Sequence, residues 1–529
     1  METKIEFERT ALGIELGSTR IKTILVDKNY QTLANGVYEW ENKYENGVWT
    51  YSLDEVWKGI QSAYKELSLN FKDKYKYPLT KIGAIGVSGM MHGYIPFDSK
   101  NNLLVPFRTW RNTMTEKAST ILSSTFQSNI PLRWSIAHLY QSLLNEERHV
   151  KKVNFLTTLS GYVHWMLTDE KVIGIGDASG MFPINYEAND YDNECLKQFG
   201  DLVASKGYSL NLKKILPKIK LAGENAGYLT DKGAKLLDIT GTLQSKTPFC
   251  PPEGDAGTGM VATNTIKENT GNISAGTSIF AMITLSAPLN NYHKEVDIVT
   301  TPHGKPVAMI HCNNFTSEID KWMNLFLELF DYFGKEIAKE EMFPLLFWKA
   351  MESDRDLGGM VSCNYHSGEP ITGFEDGRPL LATLPNSNFT LTNFMCTQIY
   401  SALASLRLGM DILFKKENVK ITNMFGHGGF FKTEKVSQQL MANAIKTPVS
   451  VTNTAGEGGA WGMALLASYS INGNYSKSLQ EYLDKKVFVT REVKKVKPNK
   501  TGAEHFSFYL ERYKSMLYVE QSAIEHLKK

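Results

Sequence analysis

A chain of 529 residues is too long for one ordinary core, so two large domains or three smaller ones are expected. Its 58 basic and 56 acidic residues leave a net charge of +2 without strong asymmetry, which gives no support for nucleic acid or an anionic membrane as the main partner. Hydrophobic content of 42% with 22% charged residues describes a soluble globular protein with a sizeable core.

The opening METKIEFERT is charged and lacks an apolar run, so no secretory signal is read there. Five scattered cysteines (Cys195, Cys250, Cys312, Cys363, Cys396) form no CxxC pair, and a reducing cytoplasm is expected. His311-Cys312 and Cys363 with His366 match no zinc spacing. The longest stretch without charge, Pro379 to Leu406, is broken by Pro385 and by many polar residues, and makes a poor membrane span.

The first strong pattern is Ala11 to Asp27, ALGIELGSTRIKTILVD. An apolar strand ends near Glu15, Gly17-Ser18-Thr19 makes a tight turn, and Ile21 to Val26 returns as a second strand. Such a hairpin offers glycine backbone and two hydroxyls at its tip and a carboxylate at its mouth. That set suits nucleotide phosphates and their metal ion, although an ordinary hairpin reads the same way. Ser52-Leu53-Asp54-Glu55 is a capping box, and Val56, Ile60, Ala63, Tyr64 and Leu67 then share one helical face. Lys81 to Val87 reads as a buried strand running into Ser88-Gly89-Met90-Met91-His92-Gly93. Loops at the carboxyl ends of strands are where α/β proteins hold ligands, and a thioether beside an imidazole suits a sugar. Phe107 to Asn112, FRTWRN, mixes aromatics such as Trp110 with planar polar groups, as sugar-binding surfaces do. Gly174 to Phe182 is a Gly-rich loop whose Asp177 is either a turn residue or a substrate contact.

Gly223 to Phe249 is loop-rich and ends in Pro248, Pro251 and Pro252, a border region. Asp255 follows among small residues in EGDAGTG, as a helix N-cap or a carboxylate base. Gly271 to Leu285, GNISAGTSIFAMITL, then echoes the opening hairpin: strand, glycine with two hydroxyl residues, strand. Two such hairpins suggest duplicated halves facing each other across a cleft, each turn offering N–H groups to phosphate oxygens. Ile399, Leu403, Leu406, Met410 and Leu413 mark a core helix, and Asn423 to Gly429, NMFGHGG, is a strand running into glycines. Thr454 to Gly462 opens a helix of small residues that a flat base can approach. The tail ends in an amphipathic helix bearing Phe506, Tyr509, Tyr513 and Leu517, read as docked on the surface. No P-loop, no G-x-G-x-x-G after a strand and no G-x-S-x-G elbow occurs, so phosphate binding falls to the hairpins.

In this order, GIELGSTRIK (13–22), SGMMHG (88–93), DASG (177–180), GDAGTG (254–259), AGTS (275–278), SGE (367–369), GHGG (426–429) and the helix from Gly456 resemble the FGGY carbohydrate kinases, and among them the xylulokinases. The resemblance implies an α/β fold of two actin-like (ribonuclease H-like) ATPase domains with an interdomain cleft. Expected boundaries are 1–262 for an N-terminal sugar-binding domain, 263–480 for a C-terminal nucleotide domain and 481–529 for a helical tail. It further implies ATP and Mg²⁺, with Asp255 as catalytic base and Met91, His92, Trp110, Asp177 and Asp255 around the sugar. Gly17, Ser18, Thr19, Arg20, Gly276, Thr277, Gly428 and Gly429 would bind ATP, and Glu15 with Asp255 would position the metal through water. A small-molecule sugar and ATP are the implied partners, with no nucleic acid and no membrane, and a homodimer is compatible.

Two departures stand out. Glu15 replaces the family's usual aspartate, and FRTWRN replaces a Trp-Asn-Asp-x-Arg pattern, losing an aspartate that contacts sugar hydroxyls. D-Xylulose is therefore joined by L-ribulose and other ketoses as expected substrates. A non-catalytic sugar and nucleotide sensor is the alternative from another class, and an actin-like chaperone or filament protein is a remote third.

Overall fold

The computed structural model describes residues 5–433, 435–452, 458–473, 476–489 and 493–528. In chain order, the elements that position the site begin with β1 (Ala11–Leu16), β2 (Arg20–Val26), β3 (Thr32–Glu39), α1 (Leu53–Tyr75) and β4 (Ala84–Gly89). Next come α2 (Ser135–Leu144), α3 (Leu159–Thr168), α4 (Ile175–Ala178), β5 (Glu253–Gly254) and α5 (Asp255–Ala262). They continue with β6 (Thr270–Ala275), β7 (Ile279–Thr284), β8 (Pro306–Cys312), α6 (Leu391–Asp411), β9 (Asn423–His427) and β10 (Val449–Thr452). The last are α7 (Gly458–Asn472), β11 (Val493–Val496) and α8 (Lys500–His526).

The chain forms two compact units. The first comprises 1–266, 292–307 and 456–490, and the second comprises 267–291, 308–455 and 491–529. Neither is a continuous piece, so the linear boundaries at 262 and 480 are not those of the compact units. The reason is packing: the small-residue helix α7 lies on β1, where a Cβ on Gly13 would sit 2.0 Å from the Ala460 carbonyl oxygen.

In the first unit the sheet order is β5-β4-β1-β2-β3, with β1 antiparallel to β2 and parallel to β4. A buried central strand of this kind reads as a near-continuous apolar run, and only Glu15 on β1 reaches solvent. Ile14, Thr23 and Gly36 are register partners and share one face. On that face α1 approaches so closely that a Cβ on Gly36 would lie 2.0 Å from the Ala63 carbonyl oxygen. Gly13 is one residue out of step and faces the other way, toward α7. Helices thus cover both sheet faces, and α1 starts at the expected capping box, Ser52 Oγ accepting the Glu55 N–H at 3.1 Å. Two regions differ from the sequence expectation. The strand expected from Lys81 begins at Ala84, because Gly83 lies against the Glu8 carbonyl, and Ser88-Gly89 belong to it. The DASG segment is not a loop; Asp177 sits on the buried short helix α4.

The second unit's strands are ordered β8-β7-β6-β9-β10-β11, with β6 antiparallel to β7 and parallel to β9. The expected core helix α6 is buried along nearly its whole length. The tail helix α8 goes deeper than surface docking, since Tyr509 and Tyr513 are fully buried. The Tyr509 hydroxyl donates to the Ser362 carbonyl at 2.9 Å, and the Tyr513 hydroxyl meets Ser405 at 3.3 Å. Among the described residues no helix is long and apolar enough to cross a membrane. Residues 453–457 of the small-residue motif lie outside the described residues.

Candidate active site

The tip of the first hairpin is held by side chains from outside it. The Gly17 carbonyl accepts from the Trp40 indole at 2.7 Å, the Ser18 carbonyl from the Tyr51 hydroxyl at 2.6 Å, and the Thr19 carbonyl from the Trp40 backbone N–H at 3.1 Å. Trp40 and Tyr51 stack on each other with centroids 4.1 Å apart. With its carbonyls tied back, the turn is left with N–H groups and hydroxyls to offer an anion. Sequence reasoning missed both aromatics, which lie 23 and 33 residues from the carbonyls they hold.

This tip opens on a cavity of about 1100 Å³ lined by Glu15, Gly17, Ser18, Thr19, Lys22 and Asp255, among others. Arg20 also lines it and pairs with exposed Glu39 at 3.2 Å. Glu15 sits at the end of β1 opposite Lys22 in the ladder. Its carboxylate accepts the Ala460 N–H at 3.2 Å, and a Cβ on Gly459 would lie 2.3 Å from Oε1, so only glycine leaves room for the longer acid. Burial raises the Glu15 carboxyl above its ordinary range, while Lys22 and the Ala460 and Gly459 N–H groups pull it back.

Asp255 is the first residue of α5, with Gly254 at the cap position, so Asp255 is not the helix N-cap. Burial first, then the Glu15 and Asp177 charges, push its carboxyl up to about 7, against the Met91 N–H, which donates to Oδ1 at 3.4 Å. A carboxyl poised there is ionised for a useful fraction of molecules near neutral pH and remains a competent proton acceptor. The loop after β4 brings Met91 and His92 alongside: the Met91 side chain fills the space a Cβ on Gly254 would need. His92 has φ +72° and donates from Nδ1 to the Gly180 carbonyl at 3.2 Å, leaving Nε2 as its acceptor nitrogen. Burial and Arg133 hold this imidazole well below its usual range, so it is neutral.

Asp177 is fully buried, and its Oδ2 accepts from the Thr158 hydroxyl at 2.6 Å and from the Ser160 hydroxyl. Its Oδ1 has no partner among the described residues, and burial raises the carboxyl to about 6. Glu253, not singled out in the sequence, braces α4 by accepting the Gly176 and Asp177 N–H groups at 3.3 and 3.1 Å. The structure thus assembles Glu15, Ser18, Thr19, Lys22 and Asp255 around one cavity and links Met91 to Asp255 by a hydrogen bond and Asp177 to it through charge, with His92 next to Met91 in the same loop. It does not do so for Trp110, which is 41% exposed and has no described contact with Met91, His92 or Asp255.

In the second unit, Gly276 and Thr277 form the exposed tip between β6 and β7, braced by the Thr316 hydroxyl donating to the Gly276 carbonyl at 2.7 Å. Gly428 lies against the same hairpin at φ +98°, where a Cβ would come within 2.4 Å of the Ala275 carbonyl oxygen. Gly429 beside it faces open space. These four residues therefore make one glycine-rich surface at the carboxyl ends of β6 and β9. Among the described residues no group of three or more His, Cys, Asp or Glu side chains makes a metal cage.

The frame of two such sheets, each with a glycine turn, is that of a sugar kinase built on the two-domain actin-like ATPase fold. Models of the FGGY family of carbohydrate kinases match residues 10–261 with the N-terminal domain and 271–471 with the C-terminal domain. The chain belongs to that family and is an ATP-dependent sugar kinase. It is 22% identical to a xylulose kinase of Haemophilus influenzae over 514 residues, covering 95% of this chain and 98% of that one. The ligand-bound xylulose kinase from Lactobacillus acidophilus superimposes with a TM-score of 0.79 at 18% identity, over 97% of this chain and 99% of that one. The gluconate kinase from the same organism gives 0.78 at 17% identity over the same shares, so the shared fold does not separate one sugar from another.

Proposed function

We propose that the enzyme transfers the γ-phosphate of ATP to the terminal hydroxyl of a ketopentose, with D-xylulose giving D-xylulose 5-phosphate as the first candidate. The observation that carries this is Asp255: a carboxyl pushed up to about 7, bonded to the Met91 loop and opening on the cavity of the Ser18-Thr19 turn. Asp255 takes the proton of the sugar hydroxyl as its oxygen attacks phosphorus and ADP departs. His92 accepts a sugar hydroxyl at Nε2, and Met91 packs on the carbon chain. In the first unit the Gly17 to Arg20 turn is the phosphate holder; in the second, Gly276 and Thr277 are the phosphate turn and Gly428 and Gly429 the adenosine contact. Phosphoryl transfer asks mainly for positioning and charge neutralisation, which this set supplies.

Mg²⁺ fits the residues present. Glu15 and Asp255 are two carboxylates in one cavity, each raised in part by burial, and a cation relieves their repulsion. A metal that keeps its waters and leans on phosphate oxygens needs no third protein ligand. When bound, it would screen the phosphates' charge, and Glu15 with Asp255 would hold it through water. Five buried, unpaired cysteines fit a cytoplasmic setting.

A coupled ADP-release assay over ketoses, sugar acids and polyols tests the reading. Turnover on one ketopentose is expected. L-Ribulose as the preferred sugar would move the enzyme to an L-ribulokinase, and no turnover on any compound would favour a sugar and nucleotide sensor.

A further inference from the structure

The FRTWRN loop is where the sequence places sugar recognition, yet the polar side chains of Arg108, Thr109 and Asn112 are already engaged. Arg108 donates to the Glu147 carboxylate at 2.5 Å and to the Ser142 hydroxyl at 2.8 Å. The Thr109 hydroxyl accepts from Asn42, and Asn112 is spent on the Trp49 backbone through both its oxygen and its nitrogen. Arg111 lies over the Trp49 ring at 3.8 Å. The loop is a structural clasp, and nothing within it substitutes for the missing aspartate.

The unmet hydrogen-bonding capacity lies elsewhere. Trp134, at the cap position of α2, is 2% exposed, and its ring lies nearly parallel to that of His92, with centroids 6.5 Å apart and 17° between planes. Its indole N–H is buried without a partner among the described residues, as is Oδ1 of Asp177. Asp177 lies on α4, three residues before the Gly180 whose carbonyl holds His92. An orphaned buried donor and acceptor each cost free energy in the empty protein, a cost that a ligand hydroxyl removes. Arg133, the neighbouring cation, is already paired with Asp297.

We propose that Trp134 is a specificity-determining residue: its indole N–H donates to a hydroxyl of the sugar held by His92 and Asp177, a contact made outside the FRTWRN loop. This rests on the ketose kinase reading above. A polyhydroxylated chain offers each hydroxyl as both donor and acceptor, so one sugar can satisfy the Trp134 N–H and Asp177 Oδ1 together.

The test compares wild type with Trp134→Phe, which keeps an aromatic ring beside His92, removes the donor and shrinks the side chain. Kd by calorimetry and KM by the coupled assay are measured for the sugar that wild type phosphorylates and for its singly deoxygenated analogues. Trp134→Phe is expected to weaken the parent sugar about tenfold and to lose wild type's discrimination against one analogue, whatever change in unfolding temperature the smaller ring brings. Asp177→Asn, read in the same way, should spare that discrimination. Wild-type affinity in Trp134→Phe, or undiminished discrimination against every analogue, would overturn the assignment, as would weaker binding spread evenly over all analogues. Failure of wild type to phosphorylate any ketose is a separate result, which removes the function this inference rests on.

Discussion

The two units repeat one strand order and spend it differently. In the first, β3-β2-β1-β4-β5 places Glu15 near the end of the central strand beside Ser88. In the second, β8-β7-β6-β9-β10 places Ser274 at the matching position beside His427. The fourth strand of the first unit runs into Met91-His92, whereas its counterpart β9 runs into Gly428-Gly429. The strand, glycine turn and strand are common to both; Glu15, Asp255 and the Met91-His92 loop, which carry the proposed base, metal and sugar roles, belong to the first alone. On the proposed reading, the repeated fold supplies each unit's glycine turn, while the proposed chemistry rests on side chains present in the first unit alone.

That contrast can be broken by substitution. The largest effect is expected for Asp255→Asn, at least ~100-fold lower kcat in the ADP-release assay. Next, Glu15→Ala should cost on the order of 10²-fold and shift the Mg²⁺ dependence, whereas Glu15→Asp retains activity. Ser274→Ala, the matching change in the second unit, should stay within about threefold of wild type, a loss far short of the one expected for a charged group. Equal losses at Glu15 and Ser274 would abolish the asymmetry. Gly428→Ala puts a Cβ against the Ala275 carbonyl at positive φ, so the unfolding temperature should fall by on the order of 5 °C. Gly429→Ala, with open space around it, should leave it within about 1 °C.

Asp255 also affects how stability varies with pH. The unfolded Asp255 carboxyl titrates near 3.9 and the folded one at about 7. Between those values the folded state binds the extra proton, so this group's contribution falls as pH rises. Above about 7 the folded protein carries the unfavourable charge in full. Asp255→Asn should therefore melt a few degrees above wild type at pH 8, with the gain vanishing below about pH 4 in calorimetric scans.

Both hairpins were legible in the sequence because strand, glycine turn and strand are local patterns. So was the helix opened by Ser52, whose cap lies three residues from its partner. What brackets the turn was not legible: Trp40 and Tyr51 are aromatics in unremarkable sequence, brought to the tip by tertiary packing. Trp134 carries no motif either, and its unpaired N–H is visible only once its surroundings are known. Asp177 reads as a loop residue because Gly174 and Gly176 suggest flexibility. Their small size instead makes room for the Glu253 carboxylate, which lies 2.3 Å from where either Cβ would stand. The discontinuous units escaped a linear reading because α7 packs on β1, more than 440 residues away in sequence.

The central claim is that a carboxyl raised by burial in the first unit is the base. The most direct measurement is the pH dependence of kcat/KM for the sugar at sub-saturating ATP. The activity should rise with pH through a single ionisation near 7, the deprotonated Asp255 being the active form, and Asp255→Asn should lose that step. A profile flat from pH 5 to about 9, or one unchanged in Asp255→Asn, would contradict it.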